Sequence, residues 1–245
     1  MRNLNAADML NVWEQGLNRS LLQRTLILLV AAFPEMSPDT IAELSIGTRD
    51  ACLLFVRERL FGSRLVNNAV CPQCKGRIEW EQEISDIVVE TTDYPTAQPF
   101  TLEIEDYHLC FRLPNSIDMA ELEGSSTAAV ALQQLLKRCI LSAEKAGAFC
   151  DIEQLPESVI QALNQSIEEL DPQAEVRINL TCPECSHRWE VFFDIASFLW
   201  MEVNEWAERQ LQTVHKLARA YGWTEREILN LSPVRRQLYL GMIES

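Results

Sequence analysis

The chain has 245 residues and 47% hydrophobic content, which suits one large globular domain or two small ones, and its longest apolar run, Leu26–Phe33, is too short to cross a bilayer. The formal net charge is −15, and residues 79–123 hold twelve acidic groups against the single Arg112, which argues against binding a phosphate backbone. With no visible signal peptide, we expect a cytoplasmic protein with no membrane partner, and the charge disfavours a nucleic-acid partner. The acidic middle is either a solvated face or a surface for a basic protein.

Residues 1–66 predict an N-terminal helical region, because apolar residues recur at helical spacing between polar capping residues. The expected starts of its four helices are, in chain order, Asn5 or Asp8, Leu21, Ser37, and Thr48 or Asp50. Gly62 is expected to end the fourth helix.

Residues 67–194 change period and predict a β core with a large α/β insertion at about 90–176. The predicted strands are Ile78–Val89, Phe100–Leu113, Val176–Leu180 and Trp189–Phe193. Within the insertion, Ser116 or Asp118 is expected to cap a segment that runs through Leu122. A helix is predicted over Thr127–Ala143, and another opens at Leu155–Glu157 and ends near Leu170. Pro95 and Pro99 fall in a link, and Gly124–Ser126 reads as a loop.

Residues 195–245 give the clearest helical signal and predict a C-terminal helical arm. Asp194 can cap a run that continues to Tyr221, and Gly222 is well placed to end it. A capping box at Thr224–Glu227 and the pair Ser232–Pro233 predict two further helices.

Two Cys-Pro-x-Cys pairs carry most of the chemical information in the chain. Each pair offers two thiolates, and each is followed by a polar turn and an alternating strand, as in the two halves of a zinc ribbon. In a self-contained ribbon the pairs would be roughly 15–20 residues apart, but here 107 residues separate Cys74 from Cys182. We therefore expect structural Zn²⁺ that joins distant parts of one domain. The predicted ligands are Cys71, Cys74, Cys182 and Cys185.

Three other uses of these cysteines remain open from sequence. The remaining cysteines show no framework spacing, which argues against disulfides, and two matched pairs outside a βαβ context argue against a redox site. Iron in a four-thiolate site is not excluded by the residues. His187, beside the second pair, is either a further ligand or an exposed turn residue.

Together these features predict an α+β fold. It is a mostly helical chain with a small antiparallel zinc-ribbon-like core, formed by the two distant cysteine pairs, and a C-terminal helical arm.

No catalytic constellation is recognisable. The three histidines fall in different predicted elements, and the chain has no nucleophile elbow, zinc-protease motif or phosphate-binding loop. We therefore expect no enzymatic activity and no small-molecule substrate.

Several stretches resemble T4-type phage baseplate hub proteins and hub assembly chaperones, a family found in contractile tails and phage-tail-like injection systems. The stretches that carry the resemblance are Arg112–Asp118, Leu170–Glu175, Ala220–Ser232 and Arg235–Leu240. The resemblance covers roughly residues 75–245, and shorter phage members of the family lack the paired cysteines.

The resemblance implies a non-enzymatic assembly factor whose partners are hub or spike proteins of a baseplate. A structural subunit retained in the particle is the alternative, and a zinc-ribbon regulator that acts with nucleic acid is a further one. We predict that the C-terminal arm supplies the partner contacts, because aromatic side chains dominate binding hot spots. The competing interpretation of its aromatic residues is burial within the protein's own core. The predicted partner-binding residues are Trp206, Tyr221, Gly222, Trp223, Ile228, Leu231, Arg235, Arg236 and Tyr239.

Overall fold

The computed structural model describes residues 1–89, 99–124 and 127–244, and it combines helices with small antiparallel sheets, as the sequence predicts. Its helices are α1 (Ala6–Gly16), α2 (Leu21–Ala32), α3 (Pro38–Glu43), α4 (Ile46–Phe61), α5 (Ser116–Leu122), α6 (Ala128–Cys139), α7 (Glu157–Leu170), α8 (Ile195–Tyr221), α9 (Glu225–Asn230) and α10 (Pro233–Glu244). Its strands are β1 (Arg64–Val70), β2 (Arg77–Glu83), β3 (Phe100–Ile104), β4 (Tyr107–Phe111), β5 (Ile140–Lys145), β6 (Ala148–Phe149), β7 (Val176–Thr181) and β8 (Arg188–Phe193). Pro95, Ser125 and Ser126, from the predicted link and loop, lie outside the described residues.

The described strands form three separate antiparallel sheets. β1 pairs with β2, β7 pairs with β8, and the order of the four-stranded sheet is β3-β4-β5-β6. A cysteine pair therefore lies at the turn of each two-stranded hairpin. A single ribbon sheet that spans both hairpins is not among the described sheets, and the zinc-ribbon assignment stays a prediction.

Most predicted helix starts are confirmed by their capping hydrogen bonds. The side chain of Asn5 accepts from the backbone of Asp8, and Thr224 and Glu227 form the predicted capping box. Two helix starts were predicted wrongly. Asn115 and not Ser116 or Asp118 caps α5, because its side chain accepts from the N–H groups of the first turn. Ser45 and not Thr48 or Asp50 caps α4. The Ser45 hydroxyl accepts from the Thr48 N–H, which places Thr48 inside the first turn.

Three predicted elements run too far, and β1 was not predicted. The strand expected over Phe100–Leu113 is two strands, β3 and β4, because the chain turns back at Glu105, which has a positive φ of 51°. The strand expected over Ile78–Val89 ends at Glu83, where the chain enters a short helical turn. The helix expected over Thr127–Ala143 ends at Cys139, and the next residues form β5, which pairs with β4. Apolar residues that suit a helix face also suit a central strand, so tertiary pairing decides this segment.

The chain divides into two compact units, Met1–Met36 with Ala196–Ser245 and Ser37–Ile195. The sequence pattern predicts a different division, into the successive segments 1–66, 67–194 and 195–245, and this division stays a prediction.

In the first unit, α1 and α8 approach closely at a glycine. A Cβ atom at Gly16 would lie 2.2 Å from the ring of Trp200, so only glycine fits there. The guanidinium of Arg24 stacks over the same ring, 5.2 Å from its centroid, and its Nε donates to the Gly16 carbonyl at 3.0 Å. The Trp13 indole N–H donates to Asn204 at 2.9 Å, which fixes the two helices in register.

In the second unit, the apolar side of the four-stranded sheet packs on α6 and α7. Its centre holds Leu109, Phe111, Val159 and Leu163, each fully buried. Buried apolar surface contributes about 25 cal/mol per Å² to stability, so this cluster is a main source of the unit's folding free energy.

No helix in the described part of the chain is both long and apolar enough to span a lipid bilayer.

Candidate metal centre

The first cysteine pair lies in the tight turn between β1 and β2. The Lys75 N–H donates to the Cys71 carbonyl at 3.0 Å, and the Cys71 N–H donates to the Gly76 carbonyl at 2.9 Å. Lys75 has a positive φ of 64°, which turns the chain back into β2 immediately after Cys74. These bonds hold both thiols on the same side of the turn.

The second pair repeats this geometry between β7 and β8. The Ser186 N–H donates to the Cys182 carbonyl at 2.9 Å, and the Cys182 N–H donates to the His187 carbonyl at 2.8 Å. Ser186 also has a positive φ, 60°, at the position that matches Lys75. The similarity predicted from sequence therefore extends to the backbone hydrogen bonds of the two turns.

The two turns bring four sulfur atoms together. All four Sγ atoms, from Cys71, Cys74, Cys182 and Cys185, lie within 4.8 Å of one another. Sγ of Cys71 is 3.7 Å from that of Cys185, and Sγ of Cys74 is 3.5 Å from that of Cys182. Four thiolates at the Zn–S distance of 2.3 Å in a tetrahedron would be about 3.8 Å apart. The arrangement can therefore bind a metal ion with little movement.

The four ligands differ in exposure. Cys71 and Cys182 are buried, Cys185 is half-buried, and Cys74 is exposed. One side of the cluster therefore faces the protein, and the side with Cys74 faces solvent. A shell of four thiolates leaves no open position for substrate, which suits a structural metal better than a catalytic one.

Backbone amides favour ionisation of part of the cluster. Burial opposes ionisation of Cys71, but the N–H groups of Cys74 and Gln73 donate to its sulfur and lower the pKa of Cys71 to about 7. The Gly76 N–H likewise favours the Cys74 thiolate, yet the contacts with the neighbouring thiols, first that of Cys182, and the partial loss of water around the sulfur outweigh it and raise the pKa of Cys74 to about 12. The thiols cannot all ionise without a cation, so binding a metal ion at neutral pH releases protons.

Glu184, which stands between Pro183 and Cys185 in the second pair, contacts the first pair. Its Oε2 lies 3.6 Å from Sγ of Cys74. A Cβ atom at Gly76 would lie 2.6 Å from this Oε2, so a glycine at position 76 makes room for the carboxylate. This contact could not be predicted from the sequence, because the spacing of a cysteine pair does not indicate which side chains meet between the two turns.

His187 is not part of the sulfur cluster. Its ring stacks on Trp189 with 5.9 Å between centroids and 15° between planes. The candidate ligand set among the described residues contains cysteines alone. The bound ion would connect two hairpins whose cysteine pairs are 107 residues apart in sequence.

The residues predicted to bind a partner separate into packed and exposed groups. An aromatic cluster is formed by Tyr221, Trp223 and Tyr239. The centroid of the Trp223 ring is 4.6 Å from that of Tyr221 and 4.9 Å from that of Tyr239. Ile228 is fully buried beside them in a small core with Leu217. These side chains stabilise the first unit, whatever else they bind.

The two arginines that were predicted to bind a partner differ in exposure. Arg236 is buried and donates to the Leu229 carbonyl at 3.1 Å, and burial lowers its pKa. Arg235 is exposed. Of the remaining predicted residues, Trp206 and Leu231 are half-buried, and Gly222 ends α8 with a positive φ of 70°. Whether any of them contacts a partner stays a prediction.

Comparison with known families gives one match. The model of the T4 bacteriophage base plate protein family matches residues 23–200, which is 178 of the 245 residues. This region contains both cysteine pairs and the four-stranded sheet, and it ends early in α8. Comparisons with curated proteins and with solved structures find no match. The chain belongs to the T4 bacteriophage base plate protein family.

Proposed function

We propose that this protein is a non-enzymatic assembly factor for the baseplate hub of a contractile tail or a related injection system. The observation that carries the proposal is the family match over residues 23–200. It is supported by the stretches noted above, Ala220–Ser232 among them, which together resemble hub proteins and hub assembly chaperones. In this role the protein binds a hub or spike component before the rest of the baseplate joins it.

The surroundings of the buried charged groups support a structural role. Asp118 is fully buried and accepts from Arg112 at 2.6 Å and from Arg138 at 2.7 Å. Asp171 is buried and accepts from the Gly47 N–H and the Ser45 hydroxyl. Buried carboxylates that catalyse reactions are normally aimed at a substrate cavity, whereas these two hold chain segments together.

We propose that the ion of the sulfur cluster is Zn²⁺ with a structural role. The sulfur spacing and the four-thiolate set fit tetrahedral zinc, although iron takes the same ligands. The site fixes the relation between the β1–β2 and β7–β8 hairpins. It does not take part in a reaction, because all four ligand positions belong to the protein.

A subunit that stays in the finished particle is the second candidate, since the family match supports any baseplate role. A regulator that acts with nucleic acid has less support, because the net charge of −15 opposes contact with phosphates.

The test is to produce tails with and without this chain and to measure its copy number in purified particles by quantitative mass spectrometry. An assembly factor leaves hub-deficient tails when it is deleted and is substoichiometric in finished particles. A constant, whole-number copy per particle would identify a retained subunit instead. Normal tails in its absence would exclude both roles.

A further inference from the structure

The last helix, α10, has an exposed apolar side. Val234, Leu238 and Met242 are 69%, 60% and 65% exposed. Because they recur every four residues, they lie on one side of the helix, and we call these three residues the α10 stripe.

The opposite side of α10 is fixed within its own unit. Arg236 donates to the Leu229 carbonyl, and the Tyr239 ring packs edge-on against that of Trp223. Burial of the stripe by rotation of α10 would break these contacts. The helix is therefore held with its stripe outward.

The stripe differs from scattered exposed apolar residues, which are normal on protein surfaces. Its three side chains are consecutive on one side of a helix, the pattern by which helices dock into grooves. Gly241 lies beside Met242, and a Cβ atom there would meet no atom within 4 Å. A partner backbone can therefore approach this part of α10 closely.

The charge around the stripe indicates what it binds. Residues 210–245 hold five basic and three acidic groups, a net charge of +2 in a chain of −15. Arg235, next to Val234, is exposed, while the carboxylate of Glu227 is bound to Thr224 in the capping box. This end of the chain is suited to an acidic surface, and charge complementarity across an interface selects partners.

We propose that the α10 stripe docks on a baseplate protein, against an apolar surface bordered by Asp or Glu side chains. The proposal rests on the proposed baseplate function and adds the chemistry of the partner. It also moves the contact from the packed aromatic cluster to the outward side of α10.

A photo-crosslinking residue in place of Leu238 tests the proposal directly. The full-length variant is produced together with the other tail proteins, irradiated, and its crosslinked peptides are sequenced. The expected product joins position 238 to a baseplate protein, at an apolar peptide flanked by Asp or Glu. The same residue placed at Val66, which is 58% exposed in the other unit, is the control and should not give this product. A crosslink to a second copy, to the chain itself or to a basic peptide would overturn the proposal. The absence of any crosslinked product would also overturn it.

Affinity measurements with the captured protein then separate apolar from charged contributions. Leu238→Asp should weaken binding by about 30-fold or more, the effect of removing one hot-spot side chain. Arg235→Glu should weaken it about fivefold at low salt and less at high salt, because exposed charges are screened. Val66→Asp should leave it unchanged.

The two proposals fail separately. If a baseplate protein binds the wild-type chain and Leu238→Asp binds equally well, the stripe is not the docking surface, and the baseplate role stands. If purified baseplate proteins do not bind the wild-type chain, both proposals are wrong.

Discussion

Asp171 accepts a hydrogen bond from the backbone N–H of Gly47 at 2.9 Å, across 124 residues of sequence. The Ser45 hydroxyl donates to the other carboxylate oxygen at 3.0 Å, so Asp171 binds the first turn of α4 from outside the helix. A Cβ atom at position 47 would lie 2.2 Å from this oxygen and 2.8 Å from the Ala174 nitrogen. The glycine therefore permits the contact that joins the start of α4 to the turn after α7.

Gly47→Ala should destabilise the second unit by about 2 kcal/mol, because the new methyl group must displace a buried carboxylate and a backbone nitrogen. Urea unfolding measures this loss. Gly241→Ala is the matched control, since it is also helical but has open space around it, and it should stabilise the protein by up to about 1 kcal/mol. Equal effects of the two substitutions would show that the close approach to Asp171 is unimportant.

Asp50 makes the stability of the second unit depend on pH. Burial raises its pKa to about 6 from the ordinary value of 3.8, with Asp194 and Asp171 adding to the effect and Arg49 opposing it. The folded state therefore binds this proton more tightly than the unfolded state does. Its contribution to stability is fully present below pH 4 and is lost as the pH rises through 6.

Asp50→Asn remains neutral, so its stability relative to wild type should increase by up to about 3 kcal/mol between pH 4 and pH 7. Denaturant unfolding of both proteins across this range gives the difference directly. Because all other titrating groups are common to the two proteins, a difference that stays constant with pH would contradict the raised pKa of Asp50.

Most contacts that the sequence predicted well are short in range. The exception is the four-cysteine cluster, because two matched cysteine pairs indicate a shared site although 107 residues separate them. The turn at Cys71–Cys74 depends on residues within six positions, and so does the capping box at Thr224. The approach of Gly47 to Asp171 joins segments that are 124 residues apart in sequence. The burial of Arg236 depends on how α9 and α10 pack together, which the local sequence does not indicate. A glycine near a helix start has the same sequence signature whether or not a carboxylate lies against it. Local sequence patterns likewise do not indicate that residues 1–36 and 196–245 form one compact unit.

Asp118 should be the most sensitive charged residue of the insertion. Burial opposes its ionisation, but bonds from Arg112 and Arg138 outweigh this and lower its pKa. Asp118→Asn should cost about 3 kcal/mol near neutral pH, because two partly buried guanidinium groups lose their carboxylate. Since the pKa is lowered, this cost should disappear as the pH falls through the folded-state value. Glu175→Gln, which breaks an exposed ion pair with Arg177, is the control and should cost less than about 1 kcal/mol.

Trp223→Ala should destabilise the end of the first unit, because its ring packs against both Tyr221 and Tyr239. Trp223 is half-buried, so we expect a loss of about 2 kcal/mol, below the range for a fully buried tryptophan. Hydrogen exchange should become faster in α9 and α10 and stay unchanged in the four-stranded sheet. Unchanged exchange in α9 and α10 would show that the Trp223 ring does not stabilise this end of its unit.

Cys182→Ser should remove the metal ion and loosen both hairpins. Cys182 is buried, and its sulfur lies 3.5 Å from that of Cys74, so its loss removes one of the four ligands and leaves an open shell. Because ion binding is coupled to folding, the loss should lower the free energy of unfolding by several kcal/mol. Elemental analysis of protein purified without chelators gives the metal content, and hydrogen exchange should become faster in β1, β2, β7 and β8.

Cys150→Ser alters a half-buried cysteine outside the cluster and should keep one zinc ion per chain. Zinc retained by Cys182→Ser, iron in place of zinc, or a wild-type chain without metal would each refute the structural zinc site.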